Sequence, residues 1–150
     1  MVDARMKERS KTRILVDGGD PDETLRLKSL IGFIDGQTTN PSLIAKNPEV
    51  QQRIAAGHKF SLEEQREEYT TIVQKISPLV GDAGVSIEVF ADLNTTGKEM
   101  LAQGKDMFSW IPNAYIKYPC TREGCLTFSS GRVSDFLHRD NGCVIYVSYR

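Results

Sequence analysis

An α/β fold built on a parallel sheet is predicted by three observations. Short apolar runs recur between longer segments of helical period, most helical segments open on a recognisable cap, and the apolar runs end in polar residues. Ile14-Leu15-Val16 reads as the first strand and stops at Asp17-Gly18-Gly19. Asp20 then caps a helix with Pro21 at its first position and Glu23 at its third, carrying Leu25, Leu30 and Ile31. Phe33-Ile34-Asp35 reads as the second strand and runs into Gln37-Thr38-Thr39. Asn40 caps the next helix, with Pro41 at its first position. Ser61 to Glu64 forms a capping box, and Tyr69, Ile72, Val73, Ile76 and Val80 follow as one apolar helix face. The third strand is Val85 to Phe90, and Thr96 to Glu99 is a second capping box ahead of a helix with Met100, Leu101 and Phe108. Ala114 to Tyr118 is the fourth strand. The order β-α-β-α-β-α-β is half of an eight-fold barrel or most of an open flavodoxin-like sheet.

Composition narrows the function classes. The chain has 150 residues, 39% apolar and 26% charged, which suits one compact domain with a real core. A formal charge of -1 offers no basic stripe for nucleic acid. Residues 1–12 are a charged extension without the apolar stretch of a signal peptide. No run approaches the roughly 20 apolar residues of a membrane span, so a soluble, cytoplasmic protein is expected. Cys120, Cys125 and Cys143 fit neither a disulfide framework nor a zinc site.

Three charged residues, Asp17, Glu88 and Lys117, break otherwise apolar strands. Charges at the carboxyl ends of parallel strands lie at the face where such sheets bind ligands. A strand lysine is the least expected of the three, because a buried ammonium must be paired or neutralised. An amine held out of water gives up its proton more readily and then attacks a carbonyl to form a Schiff base. Two neighbouring carboxylates would serve as acid and base around that imine. Plainer uses exist for each residue: an edge lysine that blocks aggregation, half of a structural ion pair, or a carboxylate at a strand end facing water. His58 falls in a polar connection and is expected to be exposed, Trp110 to pack at a helix-to-strand corner, and Glu63 to Glu68 to form a solvated helix face. His138 receives no role, and the glycines of Asp17-Gly18-Gly19-Asp20 serve a tight turn.

Four segments carry a resemblance. Asp35-Gly36-Gln37-Thr38-Thr39-Asn40-Pro41-Ser42-Leu43-Ile44 resembles the TTNPSL segment of the transaldolase family, and Ile14 to Asp17 resembles its first strand. Ser86-Ile87-Glu88-Val89 resembles its third strand, and Ile116 to Thr121 with Glu123-Gly124 its Schiff-base lysine segment. The resemblance implies an incomplete (β/α) barrel of the TIM type, about four βα units of eight. It also implies roles. Lys117 would attack the ketone of a ketose phosphate, Glu88 would move protons through a water, and Asp17 would deprotonate the hydroxyl at the carbon whose bond breaks. Asn40 and Thr38 would hydrogen-bond the dihydroxyacetone unit left on Lys117. Neither a metal nor an organic cofactor is implied. The fructose-6-phosphate aldolase branch resembles the chain at the lysine segment but tends to carry Gln where Glu88 stands, so it is the alternative, beside a non-catalytic structural or binding fragment.

The resemblance implies departures as well. Such a barrel takes about 250 residues, and the wording is expected to stop after Gly124, leaving residues 13–124 as the half-barrel and 125–150 as a divergent tail. Leu126-Thr127-Phe128-Ser129 echoes the family's fifth strand, but it falls too soon after Lys117 to be one. Cys143 to Tyr149 reads as a separate strand, and Arg132, Arg139 and Arg150 stand in no context like the family's phosphate-binding segment. A half-barrel of this kind is expected to expose two sheet edges and an apolar inner face, to fold marginally, pair with another copy or aggregate, and to turn over poorly.

Overall fold

The computed structural model describes residues 13–119 and 121–129. In chain order it contains β1 (Val16–Asp17), α1 (Pro21–Ile31), β2 (Gly36–Thr38), α2 (Pro41–Ile44) and α3 (Pro48–Ala55). These are followed by α4 (Leu62–Val80), β3 (Gly84–Glu88), α5 (Gly97–Phe108), β4 (Ala114–Lys117) and α6 (Arg122–Ser129). The caps fall where the sequence places them. Asp20 and Asn40 accept the amides of Asp22 and Leu43, and Ser61–Glu64 and Thr96–Glu99 both close as reciprocal capping boxes. The helix behind Asn40 is short, because Asn47 and Pro48 form a second cap and start α3.

One strand differs from the reading of the sequence. The second strand is Gly36–Thr38 rather than Phe33–Asp35. Ile34 is buried in the core, and Asp35 ties the approach to β1 through its amide to the Ile14 carbonyl and its carboxylate to the Ile14 amide. The ladder itself is laid down by polar residues, since Gln37 and Thr39 are both fully buried with their hydrogen bonds met inside the protein. Leu126 to Ser129 belong to α6, in keeping with the reading that their fifth-strand echo is not a strand. The strand expected at Cys143–Tyr149, Cys120, His138 and the three late arginines lie outside the described residues.

All four strands are parallel and stand in the order β1-β2-β3-β4. That order excludes the flavodoxin arrangement, in which the first strand lies inside the second. Right-handed crossovers between successive neighbours put the connecting helices on one face, as in a section of a (β/α) barrel. Val85, Ile87, Val89, Ala114, Ile116 and Tyr118 point to that face and form the core with Tyr69, Ile72, Val73 and Ile76 of α4 and Met100 and Met107 of α5. The period of two sends their neighbours to the other face. There the register aligns Asp17 with Thr38, Thr38 with Ser86, Ser86 with Tyr115, and Glu88 with Lys117. The inner face is therefore mostly polar, not apolar as expected. Its apolar parts are Leu15, which is exposed, and the Tyr115 ring, which lies across Gly84.

Candidate active site

Each strand ends on a candidate site residue of that inner face: Asp17 on β1, Thr38 on β2, Glu88 on β3 and Lys117 on β4. They meet as two pairs. Lys117 Nζ lies 2.9 Å from Glu88 Oε2, with only 11% of the lysine side chain and 25% of the glutamate exposed. The Thr38 hydroxyl donates to Asp17 Oδ1, and Asp17 is exposed. Asn40 stands just past β2, where its Oδ1 accepts the Leu43 amide at 2.8 Å. That bond uses the oxygen for the α2 cap and leaves the NH₂ as a donor.

The pairing has a geometric cause. Glu88 and Lys117 are direct register partners in a parallel ladder, so their side chains leave the same face side by side. With most of the lysine shielded from water, the carboxylate offsets a charge that would otherwise be costly to hold there. An amine next to a proton-transferring carboxylate, with a second carboxylate on the same face, has the parts for carbonyl addition followed by acid–base chemistry.

Sequence reasoning missed several residues that build this site. Gln37 links its carboxamide nitrogen to the Gly18 carbonyl at 3.0 Å and accepts from Thr24 at 2.9 Å, fixing the turn that follows Asp17. Ser86 sits two positions before Glu88, and its hydroxyl is buried without a hydrogen-bond partner among the described residues. Tyr69, read from the sequence only as part of an apolar helix face, is fully buried and reaches the strand ends with its hydroxyl. Burial pushes that phenol well above its ordinary ionisation range, so it stays protonated and able to donate. Period-two alternation was the signal available for Ser86; nothing in the local pattern marked Tyr69. His58 is exposed and borders Glu64 at 3.1 Å, and Trp110 packs edge-on against Tyr69. No cluster of three or more His, Cys, Asp or Glu suited to a metal occurs among the described residues, and none of their helices is long and apolar enough to cross a membrane.

Comparison with known proteins bears on the family. The profile of the transaldolase/fructose-6-phosphate aldolase family matches residues 14–129, through α6 and beyond Gly124. A probable transaldolase of Dehalococcoides mccartyi is 31% identical over 112 residues, covering 75% of this chain and 42% of that protein. A probable transaldolase of Moorella thermoacetica is 36% identical over 112 residues, covering 75% of this chain and 41% of its own length. That of Streptococcus agalactiae serotype V is 30% identical over 117 residues, covering 78% and 44%. The chain thus spans about two fifths of the length of these relatives. It belongs to the transaldolase/fructose-6-phosphate aldolase family.

Proposed function

From that membership we propose that the chain carries the Schiff-base half of a transaldolase site, with Lys117 as the nucleophile. The observation that supports it most is the shielded Lys117–Glu88 pair at the carboxyl ends of adjacent strands, 2.9 Å apart. In this reading the Lys117 amine adds to the ketone carbon of a ketose phosphate. Glu88, acting through a water, protonates the departing hydroxyl, and water leaves to give the iminium. Asp17 takes the proton from the hydroxyl of the carbon beyond the bond that breaks. The electrons of that C–C bond flow into the iminium, an aldose phosphate departs, and an enamine remains on Lys117. The enamine then adds to a second aldose, and hydrolysis frees the lysine. Asn40 and Thr38 hydrogen-bond the three-carbon unit meanwhile, and Ser86 supplies a further hydroxyl on the same face. Glu88, where the aldolase branch tends to carry Gln, favours transfer over simple cleavage.

Borohydride reduction in the presence of fructose 6-phosphate, followed by peptide mapping, tests this reading. The adduct is expected on Lys117 alone and is expected to vanish in Lys117→Met. Adducts spread over the surface lysines, or none at all, would overturn it.

A non-catalytic assembly role is favoured by a separate observation: β1 and β4 each pair on one side only among the described residues. Four strands contributed by each of two copies would close an eight-stranded barrel through these edges. Sedimentation velocity is then expected to give a two-chain species. A monomer across the micromolar range would exclude closure by a second copy.

A further inference from the structure

We propose that Tyr69 is a positioning residue for Glu88, acting through a hydroxyl relay that replaces the β2–β3 ladder at the point where the two strands part. The proposal rests on the Schiff-base reading only for its catalytic consequence; the relay itself stands on geometry.

The ladder between β2 and β3 ends with the Thr39 amide donating to the Ser86 carbonyl at 2.9 Å. One more step of a regular parallel ladder would send the Glu88 amide to the Thr39 carbonyl and bring back an amide from residue 41. Residue 41 is proline and has no amide hydrogen, and Asn40 has turned away to cap α2. The Glu88 amide instead donates to the Tyr69 hydroxyl at 3.0 Å. The Thr39 hydroxyl donates to the Ser86 carbonyl at 2.7 Å, since a carbonyl can only accept. Tyr69 already accepts from Glu88, so its single hydrogen goes to the Thr39 oxygen at 2.9 Å. Every donor in the relay is thereby assigned: Glu88 amide to Tyr69, Tyr69 to Thr39, Thr39 to Ser86.

The consequence is steric as well as electrostatic. β2 can peel away toward Asn40 while the last residue of β3 stays satisfied and fixed. The relay holds the Glu88 backbone at the point where Oε2 lies 2.9 Å from Lys117 Nζ. The ring is seated independently of its hydroxyl, edge-on to Phe90 at 5.9 Å and to Trp110 at 5.8 Å. Removing the oxygen alone should therefore loosen Glu88 without unpacking α4.

Tyr69→Phe and Thr39→Val each break the relay, and Thr39→Ser keeps it. Hydrogen exchange of the Glu88 amide reports the relay directly. It is expected to accelerate about tenfold in Tyr69→Phe, the protection of one net hydrogen bond. In Thr39→Val the phenol loses its acceptor, and the amide is expected to exchange several-fold faster than in the parent. Thr39→Ser is expected to match the parent. The borohydride trapping rate at saturating fructose 6-phosphate should fall in step for the two broken variants, with the half-saturating concentration unchanged and Thr39→Ser restored. If the parent forms no adduct while the exchange differences appear, the Schiff-base reading fails and the relay stands. If Tyr69→Phe does not fold, Thr39→Val against Thr39→Ser decides alone. Parent-like Glu88 exchange in the folded broken variants would overturn the proposal.

Discussion

Neutralising Glu88 and Lys117 one at a time and then together measures what holds the site in shape. At 2.9 Å two unit charges attract by about 1.4 kcal/mol at the dielectric of water and by about 6 kcal/mol at an effective value near 20. The pair lies between these limits, with 11% and 25% of the side chains exposed, and desolvation offsets part of the gain. Glu88→Gln keeps the shape but strands a mostly shielded ammonium, for an expected loss of about 2 kcal/mol. Lys117→Met leaves the more exposed carboxylate unpaired and is expected to cost about 1 kcal/mol. The double variant has no charge to strand, and replacing a buried pair with neutral groups is often close to neutral, so its cost should be about 1 kcal/mol. The coupling energy is then about 2 kcal/mol. Urea unfolding, followed by circular dichroism and by Trp110 fluorescence, gives all three values if the slopes stay constant. Losses that add to within about 0.5 kcal/mol would refute the reasoning, because residues that do not interact in solution behave additively.

Two further outcomes are expected. Gly104→Ala should lower stability by about 1–3 kcal/mol even though alanine favours a helix, because the new methyl runs into the Tyr118 hydroxyl and approaches Ile116 Cγ2 to 3.2 Å; a raised Tm would mean that α5 stands off β4. Tyr69 ionises above its ordinary value of 10 only in the folded state, so the unfolded chain loses that proton first and stability falls as pH rises past about 10. The expected contribution is about 1.4 kcal/mol per pH unit, and Tyr69→Phe should flatten the slope by that amount; an unchanged slope would show the phenol to be solvated.

Helix starts were legible because a cap is a local chemical pattern. A donor left without a partner at the first turn is met by a side chain one to three residues away, as at Asp20, Asn40, Ser61 and Thr96. β2 was not legible for the opposite reason. Gln37 is fully buried only because Thr24 and Gly18, thirteen and nineteen residues away, satisfy its carboxamide, and a pattern of apolar residues cannot register a buried polar strand. Strand order was open for a related reason. It depends on which helix face packs on which strand, and the β-α repeat reads the same in a barrel section and in an open sheet. Tyr69 was hidden in plain sequence, since the ring that fills the core and the hydroxyl that serves the site belong to one residue, and only the ring follows the helical period.

The candidate residues were legible through a different property of strands. Alternation assigns one face of each strand to the core and the other to the candidate site. On β3 and β4, Val85, Ile87, Ala114 and Ile116 are buried against the helices, while Ser86, Glu88 and Lys117 emerge opposite them. A charge in an apolar run is therefore conspicuous in sequence because it stands on the face that does not build the core. The division also constrains the register. A one-residue slip of β4 would turn Lys117 into the helical layer and bring Ile116 onto the site face, exchanging a paired ammonium for a buried unpaired one. The core that stabilises the fold and the pair at the strand ends thus favour the same register, and the position of Lys117 beside Glu88 follows from how Ala114 and Ile116 pack.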